Sequence, residues 1–344
     1  MIHKRGSISG LFLKSPMLGL GLVTAILLAC NKEKEPEPKP NEKEAAPLAT
    51  ETSLNPLALP NEDWTDRRKE RLQFRTHKFG SRDERDGVIV SIAVDGSDPR
   101  LVVSPGFLDS SGLATIGDTP RRSPDWRYIA VAGTDKEEES AVAILDLKTR
   151  TGKVICNRVA TDPVWSMDGT SLFFNAWAGP IVYSMASGKL DTVKGDNASR
   201  STVQLGFATR PQIFAFTKTG YLIMDYKIRV KRKSDFITKL GDRVMMGDYG
   251  ELSQDGIFLA NRFYHEVILV DIAHDDKVVF RDSLGESGMS LNSDGSILYY
   301  LNNSKGALVS LNWTTGEEHP IMLEKDQIFQ GFSTLFQKIT PDKK

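Results

Sequence analysis

The sequence predicts an all-β fold, a six-bladed β-propeller of four-stranded antiparallel blades, and three observations carry this prediction. A short turn phrase recurs along the chain, with its aspartates 43, 87 and 39 residues apart. A β-rich run, a polar turn and another short strand follow each copy, which is the pattern of a propeller blade. Helical periodicity is nearly absent from the body, where we expect at most one helical turn, at residues 61–69.

The repeated phrase has the pattern of a strand, a tight turn and a second strand. Glycine accepts a positive φ and aspartate bonds the local backbone, so Asp-Gly between apolar residues predicts a hairpin. The gap of 87 residues is two periods, and a degenerate copy at 208–214 keeps the strand but not the turn residues. The other copies occupy residues 123–130, 166–173, 253–258 and 293–298.

The two ends of the body predict one shared blade. Residues 71–74, 88–94 and 101–102 have the pattern of its second, third and fourth strands, and 331–344 resembles a further copy of the phrase that stops at its turn. A composite blade would close the ring and remove unpaired sheet edges. Six units of about 43 residues fit the length of chain from residue 70 to 344.

The Ser-x-Asp-Gly turn and the later apolar-Asp-apolar strand resemble the TolB-like β-propeller repeat, a relative of WD repeats. The resemblance covers about residues 70–344, roughly four fifths of the chain. The sequence departs from related proteins in three ways. The Trp-Asp dipeptide of WD repeats is missing, a tether stands where TolB has an α/β domain, and no hydrolase domain follows.

Residues 1–29 have the pattern of a signal peptide. Three basic residues precede an apolar run of 13 residues that is too short to span a bilayer. The run ends Leu27-Leu28-Ala29-Cys30, which resembles the bacterial lipobox. That resemblance implies lipidation of Cys30, cleavage before it and stable anchoring by several acyl chains. The alternative is an ordinary secretory signal with an incidental cysteine.

Asn31 stands where an aspartate would favour the inner membrane, so we expect the outer membrane, with the domain facing the periplasm or the exterior. Residues 30–62 alternate Lys, Glu and Pro and predict a disordered tether that could reach about 90 Å. The whole chain has 44 basic and 45 acidic residues. This balance excludes nucleic-acid binding through a bulk basic field.

Polar residues stand six to eight positions before the turn aspartates, where the inner strands of a propeller begin. Carboxylates and amides around one channel mouth would suit Ca²⁺ or a basic peptide end. We favour ordinary polarity at exposed strand starts as the explanation, so we predict no cofactor and keep Ca²⁺ as an open alternative. The set is Asp118, Asp162, Gln204, Asp248 and Glu286, with Gln330 as a looser sixth member.

Alternating basic residues mark a second candidate surface, because alternate residues of a strand share one face. Such a face either protects an outer sheet edge or docks an acidic partner or anionic envelope groups. The residues are Lys227, Arg229, Lys231 and Lys233.

Catalytic motifs are missing from the sequence: there is no G-x-S-x-G, no phosphate-binding loop and no H-E-x-x-H. Cys156 has the pattern of a buried strand cysteine. We therefore predict no catalytic residue, and a lipid-anchored module that binds an envelope protein, a peptidoglycan-associated protein or a ligand. The alternative is a cation-dependent, lactonase-like hydrolase with its site at the channel mouth.

Overall fold

The computed structural model describes residues 56–77, 87–117, 120–159, 163–166, 168–176, 179–192, 205–207, 212–217, 220–225, 230–235, 249–253, 258–263, 266–282, 287–292, 294–302, 307–323 and 337–339. All of them belong to one compact unit, residues 47–344. Within these ranges, no helix has the length and apolar character needed to cross a membrane.

The described strands form six sheets in which neighbouring strands run antiparallel. The composite sheet, named for its two-ended origin, contains β1 (Arg71–His77), β2 (Gly87–Ala93), β3 (Arg100–Val103) and β25 (Gln337–Ile339). Sheet 2 contains β4 (Leu113–Ile116), β5 (Arg121–Arg122), β6 (Tyr128–Asp135), β7 (Ser140–Asp146) and β8 (Thr151–Asn157).

The other four sheets follow chain order from first to last strand. Sheet 3 contains β9 (Val164–Trp165), β10 (Ser171–Ala176), β11 (Gly179–Ser184) and β12 (Leu190–Thr192). Sheet 4 contains β13 (Leu205–Phe207), β14 (Gln212–Thr217), β15 (Gly220–Asp225) and β16 (Val230–Ser234). Sheet 5 contains β17 (Tyr249–Leu252), β18 (Phe258–Phe263), β19 (Glu266–Asp271) and β20 (Lys277–Asp282). Sheet 6 contains β21 (Ser287–Leu291), β22 (Ile297–Asn302), β23 (Ala307–Asn312) and β24 (Glu317–Leu323).

The composite sheet joins the two ends of the described body. Its order is β25-β1-β2-β3, and β25 pairs with β1 over three residue pairs, from Arg71 opposite Ile339 to Gln73 opposite Gln337. The sheet shared between both ends of the body, predicted from the sequence, is therefore present. The strand predicted at the degenerate copy is present too, as β14.

The first strands of neighbouring sheets contact one another in sequence. β5 contacts β9, β9 contacts β13, β13 contacts β17, β17 contacts β21, β21 contacts β25, and β25 contacts β5. In sheet 2 this position is divided, since β4 and β5 pair with opposite ends of β6.

Apolar side chains pack between neighbouring sheets. One cluster lies between the composite sheet and sheet 6, a second between the composite sheet and sheet 2, a third between sheets 2 and 3, and a fourth between sheets 5 and 6. Strands such as β2 and β7 are therefore buried on both faces, which explains their nearly continuous apolar runs.

The helical turn expected at 61–69 is wrong. Asn61 instead forms a parallel bridge with Leu101, and the Asp63 side chain accepts hydrogen bonds from the backbone and hydroxyl of Thr65, 3.0 and 2.6 Å long. Such local side-chain bonds compete with helix formation. A short helix, α1 (Pro105–Asp109), stands between β3 and β4, capped by the Ser104 hydroxyl, and the sequence pattern did not reveal it.

Candidate functional site

The repeated aspartates that the structure describes hold the turns between the first and second strands of their sheets. Ser123 Oγ donates to Asp125 Oδ1 at 2.5 Å and also accepts from the Tyr128 amide at 2.8 Å. Ser166 and Asp168 repeat this arrangement, with a 2.6 Å bond between their side chains. Hydrogen bonds from Ser166 and from residue 170 lower the pKa of Asp168. Because these carboxylates are occupied by their own turns, they are structural groups.

Two copies whose turns the structure describes depart from the phrase. In the last one, Asn292 takes the serine's place, since its Oδ1 accepts from the Ile297 amide at 2.9 Å. In the first one, Trp126 takes the glycine's place at φ +65°, whereas Gly169 and Gly295 have φ +68° and +75°. A bulky side chain rarely adopts this conformation, so its surroundings must hold it there.

Trp126 lies at the edge of a buried ion network. Its carbonyl accepts from Arg122 Nε at 2.8 Å, and the Arg122 guanidinium lies 5.9 Å from its ring centroid. Arg122 also donates to Gln73 Oε1 at 3.0 Å and to Glu62 Oε1. Sheet 2 and the composite sheet are thus joined by one guanidinium.

Glu62 is the centre of this network. Its second oxygen accepts from Ser91 Oγ and lies 3.9 Å from Arg71 Nε. The side chains of Glu62, Arg71 and Arg122 are 6%, 5% and 1% exposed. Burial alone would raise the pKa of Glu62, but Arg122, Ser91 and Arg71 together lower it below its ordinary value of 4.5. The carboxylate is therefore charged at neutral pH and fully engaged.

Arg71 extends the network to the edge of the composite sheet. It donates to Ser91 Oγ at 3.0 Å and forms a 2.9 Å ion pair with Asp98. The Gln73 amide donates to the Pro120 carbonyl at 3.3 Å, on the sheet 2 side. Buried polar groups of this kind are costly unless each finds a partner, and these residues bond to one another across the sheet boundary.

The polar residues predicted around the channel mouth lie outside the described residues. In the chain, five of them stand one to three positions before the first strands β5, β9, β13, β17 and β21. Those strands contact one another in order. The residues are Asp118, Asp162, Gln204, Asp248 and Glu286; Gln330 and Cys30 also lie outside the described ranges.

Comparisons with known structures reveal the fold. TolB from Acinetobacter baumannii, a β-propeller protein, matches with a TM-score of 0.53 at 16% identity, over 72% of this chain and 62% of its own. A chain of the nidogen–laminin complex matches with a TM-score of 0.54 at 10% identity, over 80% and 100%. The fold is a TolB-like β-propeller.

Other comparisons add less about this propeller. Apo AztD from Citrobacter koseri matches with a TM-score of 0.45 at 12% identity, over 76% of this chain and 83% of its own. The chain spans less than two thirds of TolB. No protein-family model and no curated protein sequence matches it.

The basic face predicted on this propeller is partly described. Lys231 and Lys233 lie on β16, the last strand of sheet 4, and their side chains are 50% and 59% exposed. Lys231 pairs with Asp225 at 3.5 Å and Lys233 with Asp235 at 3.3 Å. Lys227 and Arg229 lie outside the described residues. The positive charge of the two described lysines is thus balanced locally.

The residue between those lysines joins sheets 4 and 5. Arg232 donates to the Ile272 carbonyl at 2.9 Å and to Asp276 Oδ1 at 3.0 Å. Asp276 also accepts from Tyr221 and Ser234. Burial, followed by the hydrogen bond and charge of Asp276, raises the pKa of Tyr221. The tyrosine therefore stays protonated as a donor.

Groups for metal or thiol chemistry are sparse in the part of the chain that the structure describes. No three His, Cys, Asp or Glu side chains within it are placed to hold a metal ion together. Cys156 is half-buried on β8, and burial raises the pKa of its thiol. A thiol with a raised pKa is a weak nucleophile at neutral pH.

The network around Glu62 was not predicted from the sequence. Residue 62 lies within the predicted tether, yet its amide donates to the Leu101 carbonyl at 2.8 Å and its side chain is buried. One signal was present in the sequence. Arg71 and Gln73 alternate with Leu72 and Phe74, so the two polar residues share one face of the strand and the two apolar residues share the other, which indicates a polar contact on one side of β1.

Proposed function

We propose that the six sheets are the blades of one closed propeller and that the composite sheet closes it. The contacts between first strands support this architecture, because they lead from β5 through each sheet in turn and return through β25 to β5. A closed ring of sheets leaves only short edges exposed.

The function we propose is that of a lipid-anchored envelope protein whose propeller is a non-catalytic binding or scaffold module. Cys30 would carry the lipid and residues 31–55 would form the flexible part of the tether. The observation that best supports this role is the fastening of residues 60–62 to the propeller. Leu101 pairs with Pro60 and Glu62 through bonds of 2.9 and 2.8 Å, and the Glu62 side chain is buried. A tether joined this firmly would present the propeller as one rigid body.

The ligand surface we propose is the channel mouth predicted from the sequence. Its candidate residues stand just before consecutive first strands, which contact one another. A ring of oxygen donors would suit a basic peptide end of an envelope protein. The two described lysines of β16 contribute less to this proposal, because each already pairs with an aspartate.

The test is crosslinking in cells of a tagged chain, followed by mass spectrometry, with metabolic labelling by an alkyne fatty acid. We expect the label on the wild type but not on the Cys30→Ala variant, and one dominant crosslinked partner that this variant loses. A double variant, Asp162→Asn with Asp248→Asn, tests the mouth and should lose the same partner while keeping the lipid label. A matched pair, Asp66→Asn with Asp191→Asn, changes exposed carboxylates elsewhere and should keep it.

Three results would contradict parts of this proposal. A label that persists on Cys30→Ala would contradict lipidation of Cys30. A wild type that is labelled but has no reproducible partner would contradict the scaffold role. A stoichiometric divalent ion in dialysed protein, with esterase or lactonase turnover, would favour the hydrolase over the scaffold.

A further inference from the structure

The segment that precedes β1 is bound along the edge of the composite sheet. We name residues 56–70 the strap. It begins with a 3₁₀ turn, Pro56–Ala58, and its backbone at Pro60 and Glu62 pairs with Leu101 of β3. Leu59 and Trp64 pack against the apolar clusters on the two sides of the composite sheet. The strap is therefore attached to both sides of one sheet.

Two further contacts carry the strap across to sheet 2. Arg67 donates to the carbonyl of Asp125, in the first Ser-x-Asp turn. Glu62 inserts its carboxylate between Arg71 of β1 and Arg122 of β5. The two guanidiniums come from different sheets, and the carboxylate that lies between them comes from neither sheet.

The ion network is continuous with the strand pair that joins the chain ends. Gln73 pairs through its backbone with Gln337 of β25, and its side chain accepts from Arg122. Among the residues that the structure describes, three pairs hold β25 to β1. Removing the Glu62 charge would take away the carboxylate that Arg122 and Arg71 share next to this pair, although Arg71 keeps its ion pair with Asp98. Loss of one member of a buried ion network is strongly destabilising.

We propose that the strap is a clamp on the opening of the propeller: while Glu62 holds Arg71 and Arg122 together, β1 stays in place between β25 and sheet 2. Release of Glu62 is then the first step in separating β1, with β2 and β3, from sheet 2 and from β25. This inference rests on the closed ring proposed above. It adds that the ring opens at one boundary, under the control of one carboxylate.

The test is hydrogen exchange, followed by mass spectrometry of peptides, on the full chain purified in detergent. Glu62→Gln keeps the shape of the side chain and removes its charge. We expect exchange in β1 to accelerate at least tenfold, together with exchange in the strap, while β10 and β11 of sheet 3 stay unchanged. Asp66→Asn is the matched control, since it removes an exposed carboxylate of the same strap that pairs with Arg68. It should change exchange less than twofold.

Two outcomes would overturn the clamp. Either the strap exchanges faster in Glu62→Gln while β1 does not, or neither segment changes. If Glu62→Gln does not fold, Glu62→Asp keeps the charge but draws the carboxylate back from Arg71 and Arg122 by one methylene, and unchanged β1 exchange in that variant overturns the proposal. Fatty-acid labelling of Cys30 does not depend on β1, so failure of the anchor and failure of the clamp give different results. A truncation after residue 330 that folds with an unchanged melting temperature would reject the closed ring itself.

Discussion

The two faces of β1 pack against their neighbours by different means. Leu72 and Phe74 point towards sheet 6, where they join an apolar cluster with Tyr299 and Leu308. Arg71 and Gln73 point the other way and join the ion network with Arg122 of sheet 2. All of these side chains are at most 5% exposed.

The difference teaches how a repeated fold distinguishes one junction from the others. Apolar packing tolerates small shifts and swaps of similar volume. A buried carboxylate between two guanidiniums accepts only one arrangement, because any other leaves charge without a partner. The polar face of β1 therefore favours a single alignment of the composite sheet, whereas the apolar face stabilises the sheet by burying apolar surface.

Truncation after residue 330 should have the largest effect on stability. It removes β25, which leaves the inner edge of β1 unpaired and weakens the packing of β1 on both of its faces. We expect loss of cooperative thermal unfolding, measured by circular dichroism. A truncated chain that melts like the wild type would show that β25 contributes little to either face.

Phe74→Ala tests the apolar face alone. Its side chain is 1% exposed, so truncation should cost about 3–5 kcal/mol of unfolding free energy in urea. The cost should be the same at pH 7 and pH 4.5, because no titratable group is removed. Leu190→Ala, at a residue that is 41% exposed, is the control and should change stability by less than about 0.5 kcal/mol.

Acid should weaken the polar face only. The pKa of Glu62 is lowered in the folded protein, so its stabilisation is complete above its ordinary pKa of 4.5 and is lost as pH falls through the folded value. The unfolding free energy of the wild type should exceed that of Glu62→Gln by about 3–5 kcal/mol at pH 7, and this difference should become smaller below pH 4.5. Chemical denaturation of both proteins across this pH range measures the difference. A difference that stays constant with pH would show that the Glu62 charge does not stabilise the fold.

Lys233→Ala should have the smallest effect, because the lysine is 59% exposed and its ion pair with Asp235 lies at the surface. We expect a change in unfolding free energy below about 1 kcal/mol. A larger loss would mean that surface pairs on outer strands matter as much as the buried network.

The sequence predicted the sheets well because their signals are local. Asp168-Gly169 marks a turn that the structure places between β9 and β10, and the strands on either side are apolar. The composite sheet was predictable too, since 71–74 lacks a preceding strand and the chain after 331 supplies one. These inferences needed only period, turn chemistry and the cost of an open edge.

The ion network was not predictable, because its members are far apart in sequence. Glu62 stands in a stretch whose composition resembles the tether, and its partner Arg122 is 60 residues away. The positive φ of Trp126 was not predictable for a related reason: the turn phrase favours glycine where this chain has tryptophan, and local preference gives no sign of the surroundings that hold it there.

The pairing of β25 with β1 has a consequence for the order of folding. Arg71 and Ile339, which stand opposite each other, are 268 positions apart along the chain. Contacts of such separation are slow to form, because the entropy of closing the loop is lost before any contact compensates for it. During synthesis β1 emerges long before β25, so its inner edge stays unpaired until almost the whole chain is available. The composite sheet can therefore be completed only after residues 337–339 have been synthesised, and a chain that stops short of residue 337 exposes a strand edge to aggregation.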